Sequence, residues 1–106
     1  MRRARIHAAA VEEAAEAAAW YERERAGLGA EFERAVEAAL DLLEEEIVPL
    51  VSVPGGAGAR GVKRLLLRRF PFAVIVREAA AEVIVIAFAH TARRPGYWRG
   101  RLKPAP

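Results

Sequence analysis

Within twelve residues, the stretch His90-Thr91-Ala92-Arg93-Arg94-Pro95-Gly96-Tyr97-Trp98-Arg99-Gly100-Arg101 gathers a histidine, four arginines and two aromatic rings. A histidine changes protonation near neutral pH and can serve as acid or base. Arginine guanidinium groups grip phosphates and carboxylates in bidentate fashion. Tyrosine and tryptophan rings are platforms on which a nucleic-acid base can stack, an interaction worth roughly 1–3 kcal/mol per base. The set suits contact with phosphates and bases, or with an acidic partner segment. Arg69 and Arg77 lie near the ends of neighbouring apolar runs and are further candidate cations for target or RNA binding, together with Arg94 and Trp98.

Each of these residues also has a plainer role open to it. His90 can hydrogen-bond to backbone at a strand end, Arg93 and Arg94 can be solvated surface, and Tyr97 and Trp98 can close the end of the core with their apolar rings. His7 stands far from the cluster in sequence. Two histidines without acidic neighbours make a poor metal site, so neither a metal nor a cofactor is expected. Glu12, Glu13 and Glu16 share a helix face away from its apolar stripe and are expected to be solubilising.

The cluster follows the apolar run Val83-Ile84-Val85-Ile86-Ala87-Phe88-Ala89, which reads as a buried strand. Two further strand-like runs precede it, Val62 to Arg69 and Phe72 to Glu78, separated by short breaks at Phe70-Pro71 and Ala79-Ala80-Ala81. Breaks of that length join antiparallel strands. Strict alternation would put Ile84, Ile86, Phe88 and His90 on one side of the last strand.

The first half is helical in pattern. Ala8 to Ala26 is rich in Ala and Glu, with Val11, Ala14, Ala15, Ala18 and Tyr21 at three- and four-residue spacing. Gly27-Leu28-Gly29 stops it. A second helix spans about Ala30 to Glu46, with Phe32, Val36, Ala39, Leu40, Leu43 and Ile47 on one face and Pro49 at its end. The pair forms a helical hairpin, with Trp20 and Tyr21 closing the core. Arg3 to His7 reads as a short edge strand, Pro54-Gly55-Gly56-Ala57-Gly58 as a flexible loop, and Pro104-Ala105-Pro106 as a frayed end. The expected fold is α+β: an N-terminal antiparallel helical hairpin packed on a small antiparallel sheet of three to four strands, the other sheet face being left free.

At 106 residues the chain forms a single domain, 1–106, and 54% hydrophobic residues suffice for a packed core. There is no cysteine, which excludes disulfides and thiolate metal sites and agrees with a cytoplasmic location. No signal peptide or membrane span fits the pattern. Residues 1–46 hold 12 acidic and 6 basic side chains, whereas residues 47–106 hold 2 acidic and 11 basic. Charge divided in this way implies a basic face carried by the C-terminal half.

Four segments in this order resemble the RelE/ParE superfamily, the toxin halves of type II toxin–antitoxin pairs of the plasmid-stabilisation kind. They are Ala17-Ala18-Ala19-Trp20-Tyr21-Glu22, Gly27-Leu28-Gly29-Ala30-Glu31-Phe32, Arg69-Phe70-Pro71-Phe72-Ala73-Val74-Ile75-Val76, and Ala87-Phe88-Ala89-His90 with Arg93-Arg94-Pro95-Gly96-Tyr97-Trp98. The resemblance implies a growth-inhibiting toxin neutralised by a cognate antitoxin, with a dimer within the toxin–antitoxin complex as a further arrangement. ParE-like members inhibit DNA gyrase, and RelE-like members cut messenger RNA on the ribosome. The second chemistry needs a base for the 2′-hydroxyl, cations on the phosphorane and an acid for the leaving oxygen. His90, Arg93 and Tyr97 would supply them, without a metal. Two positions depart from the RelE pattern: Ala73 stands where an arginine is usual, and His90-Thr91 stands where lysine or arginine follows the last strand. The sequence therefore leans towards a ParE-like toxin acting on gyrase, with a RelE-like endoribonuclease as the alternative. An inactive, basic nucleic-acid-binding module is a second alternative.

Overall fold

The computed structural model describes residues 2–46 and 50–102. Strand β1 (Arg3–Ile6) turns Ala4 and Ile6 towards the core and leaves Arg3 and Arg5 exposed. His7 is the cap of the helix that follows: its Nδ1 accepts the Ala9 N–H at 3.1 Å, satisfying one of the donors a helix start leaves free. Helix α1 (Ala8–Glu24) buries Ala10 and Ala18, with Ala14, Ala17 and Tyr21 packed beside them. The apolar stripe is thus shifted from the expected one, and Val11 is 52% exposed. In a helix so rich in alanine the methyl groups leave the facing undecided, and close approach to the sheet selects the smallest side chains. Trp20, expected to help close the core, is 51% exposed, while its neighbour Tyr21 fills that role.

Gly27 adopts a left-handed conformation (φ 89°), which lets helix α2 (Leu28–Glu45) begin two residues earlier than its sequence pattern suggests. Gly29 is pressed against α1, and a Cβ there would lie 2.6 Å from the Ala18 carbonyl oxygen. Phe32, Val36, Ala39 and Leu43 are buried, as their spacing predicts. Ile47, Pro49 and the terminal Pro104–Pro106 lie outside the described residues.

The sheet is larger than expected and mixed. Its five strands are ordered β1-β5-β4-β3-β2, with β2 (Val51–Ser52), β3 (Val62–Leu66), β4 (Phe72–Glu78) and β5 (Glu82–His90). The three connections β2–β3, β3–β4 and β4–β5 are antiparallel, whereas β1 runs parallel to β5, from Arg3 opposite Glu82 to Ile6 opposite Val85. The helical hairpin carries the chain from one sheet edge to the other, and three antiparallel strand pairings then bring β5 back alongside β1. Short connections between strands led to an all-antiparallel expectation that this long excursion overrides. β3 stops at Leu66 because Arg69 turns left-handed (φ 71°) and folds Phe70 into the core. The glycine-rich loop contains a single helical turn, α3 (Gly56–Ala59).

One irregularity in β5 decides which face each of its last residues serves. Ile75 pairs with Ala87 and Val76 with Val85, so Ile86 is an extra, bulged residue. Val83, Val85 and Phe88 join the helix-facing layer, whereas Ile86, Ala87 and Ala89 join a second layer on the opposite face. The expected grouping of Ile84, Ile86, Phe88 and His90 on one side is therefore corrected, because the bulge resets the alternation. The opposite face is not free either: Val53, Ala57 and Trp98 cover it.

Candidate functional site

Strand β1 pairs with β5 only as far as Val85, and the next stretch of that edge is finished by side chains. Glu13, on α1, accepts the Phe88 N–H at 3.1 Å, and Arg101 Nη1 donates to the Ile86 carbonyl at 3.1 Å. Arg101 also donates twice to the Glu13 carboxylate, at 2.8 and 3.1 Å, a fork-to-fork pair. Tyr97 donates its hydroxyl to Glu13 Oε2, and Arg93 Nη1 stands 3.6 Å from the same oxygen. The Arg93 guanidinium lies 3.7 Å from the centre of the Tyr97 ring. One carboxylate thus ties helix, strand edge and C-terminal arm together.

Burial alone would raise the Glu13 pKa. The hydrogen bonds from Arg101 and Tyr97 outweigh it and hold the carboxyl below the usual carboxylate range. Burial, reinforced by the Glu13 charge, pushes the Tyr97 hydroxyl up to about 12. Glu13 stays ionised and Tyr97 stays protonated, so the pair binds firmly without exchanging a proton near neutrality. Glu13 is the residue that sequence reasoning missed, having been grouped with Glu12 and Glu16. No signal in the sequence singles it out: position 13 borders the row Ala10, Ala14 and Ala17, about 60° around the helix from Ala10, but only the fold shows that this alanine row is the one turned towards the sheet.

His90 faces the helix side. Its ring meets Phe72 edge-on at 5.1 Å, and its Nδ1 accepts the Ala92 N–H at 3.0 Å. It borders two clefts. The first, about 220 Å³, is lined by Arg64, Arg93, Arg94, Tyr97, Trp98 and Arg99 among others. The second, about 200 Å³, is a notch formed with Ala17, Trp20, Tyr21 and Phe72. The structure therefore brings His90, Arg93, Arg94, Tyr97 and Trp98 around one cleft. Trp98 is 5% exposed and belongs to the second apolar layer, where it supports the cleft rather than presenting a free ring.

Arg69 and Arg77 are not part of this gathering. Arg69 pairs with Glu31 at 3.4 Å, over the Phe70 side of the core. Arg77 lies opposite Val62 and Ile84, five residues along β4 from the Phe72–His90 pair, or roughly 16 Å at strand spacing. Among the described residues no group of three or more His, Asp or Glu is placed to hold a metal ion, and no helix is long and apolar enough to cross a membrane.

No protein-family model and no curated protein matches the sequence. The fold does find a counterpart. It superposes, with a TM-score of 0.71, on a chain from the structure described as "Chromosomal ParDE TA system from P. aeruginosa", covering 85% of this chain and 96% of that one at 14% identity. The two chains share a fold. At such low identity the likeness is one of architecture.

Proposed function

We propose that the chain is the toxin of a type II toxin–antitoxin pair, ParE-like in action, which arrests growth by binding DNA gyrase and is neutralised by a cognate antitoxin. The observation that carries this is the fold shared with a chain of a ParDE toxin–antitoxin structure over most of both lengths. The state of the C-terminal arm supports action by binding. Tyr97 is committed to Glu13, Arg93 lies over the tyrosine ring and beside that carboxylate, and the His90 ring packs against Phe72. Arg64, Arg94 and Arg99, which have no carboxylate partner among the described residues, are the cations of the cleft that would receive an antitoxin's acidic side chains.

The RelE-like alternative is favoured by one feature, the meeting of His90, Arg93 and Tyr97 around a single cleft. Induced expression in a bacterial host lacking the antitoxin separates the two. Arrest with DNA breaks and intact messenger RNA is the expected result. Arrest with codon-phased messenger cuts, abolished by Arg93→Gln with Tyr97→Phe, would replace gyrase with the ribosome. Unimpeded growth would count against a toxin of either kind.

A further inference from the structure

The run Val83–Ala89 is seven consecutive apolar residues with no charge and no proline. A segment of that composition pairs readily with a copy of itself when its edge is open. Among the described residues, no backbone pairs with the outward edge of β5 beyond β1. What meets its outward N–H at Phe88 and its carbonyl at Ile86 is a carboxylate and a guanidinium, each satisfying one backbone group and each attached to the other. Natural sheets protect vulnerable edges by such covering or charged side chains.

We propose that the Glu13–Arg101 clamp is a guard on the β5 edge, and that the partner it excludes is a second copy of this chain. The second copy would lay its own Ile86–His90 stretch antiparallel to the first across a two-fold axis. Composition identifies this occupant: between Glu82 and His90 the strand carries no charged side chain, so two copies of it pair without like charges directly opposite each other. The opposite sheet edge lacks that property. β2 is two residues long and stands against Lys63 and Arg64.

The test uses the full chain made by cell-free synthesis, so that toxicity to a host does not intervene. Sedimentation velocity over a range of concentrations is read together with circular dichroism and amide exchange at Phe88. The wild-type chain is expected to sediment as a monomer. Glu13→Ala with Arg101→Ala is expected to keep its native circular dichroism while its apparent mass rises towards twofold with concentration. The charge swap Glu13→Arg with Arg101→Glu restores an ion pair, but an arginine cannot accept the Phe88 N–H and a carboxylate cannot donate to Ile86. It is expected to self-associate as well. If the double alanine variant does not fold, Arg101→Ala alone decides, with a smaller rise in apparent mass. Folded variants that stay monomeric at every concentration while Phe88 exchanges faster would overturn the proposal. So would a charge swap that restores the monomer, or a wild-type chain that associates as strongly as the variants.

Discussion

The two faces of the sheet are packed by different means. The helix-facing layer is a nest of rings: Tyr21, Phe32, Phe70 and Phe72 meet at centroid distances of 5.0–6.3 Å, mostly edge to face. The outer layer has small residues where the inner one has rings. Ala73 pairs with Ala89 across β4 and β5, Ala57 and Ala87 lie in the same layer, and Trp98 supplies its largest side chain. Where its floor is alanine the layer is shallow, and Trp98 of the C-terminal arm covers it beside Val53, Val62, Ile75 and Ile86. The inner layer is sustained by the helices themselves, whereas the outer one depends on whatever anchors the arm. That anchor is Glu13, which belongs to the inner side of the molecule.

Substitutions can break this contrast in order of severity. Phe32→Ala removes the centre of the ring cluster and is expected to cost about 4 kcal/mol, lowering the whole unfolding transition in denaturant. Glu13→Ala, which leaves Arg101 without its partner in a mostly covered site, is expected to cost about 2–3 kcal/mol. Its signature differs: amide exchange should quicken at Phe88 and along the arm before it quickens in α2. Equal acceleration everywhere would mean that the two layers melt as one.

Acid sharpens the same distinction. Glu13 is held below the usual carboxylate range by Arg101 and Tyr97, and Glu78 by Lys63 and Arg2. A carboxylate with a depressed folded pKa contributes stability above its unfolded value, near 4.3 for glutamate, and loses it as pH falls through the folded value. Thermal stability is therefore expected to fall below about pH 4–5, and Glu13→Gln to flatten part of that fall. The mildest change, Tyr97→Phe, removes one hydrogen bond to a charged acceptor and is expected to cost about 1–2 kcal/mol with little change in the inner layer.

Much of the helix-facing architecture was legible in the sequence, because Phe32, Val36, Ala39 and Leu43 recur at helical spacing and Phe72 to Glu78 is a clear strand. What escaped was set by long-range packing. The alanines of α1 give no preferred facing until a sheet is placed beneath them. Val51 and Ser52 are too few to announce a strand, and nothing in β1 states whether it will run parallel to β5. In the candidate site, the gathering of His90, Arg93, Arg94, Tyr97 and Trp98 followed from proximity in sequence. Glu13 comes from 75 residues before Phe88, and only the folded chain joins them. No residue type in Val83–Ala89 marks Ile86 as the bulge.

That bulge has a consequence for how the molecule can vary. Because Ile86 is supernumerary in the ladder, a chain shortened by that one residue would keep Val85 and Phe88 on the inner side and Ala87 on the outer, with the loss of one buried side chain. What would disappear is the carbonyl that Arg101 grips. Loss of that residue would cost the arm one of its hydrogen bonds while Glu13 still holds Arg101 and Tyr97, so the strand-edge contact can vary separately from the core and from the carboxylate anchor.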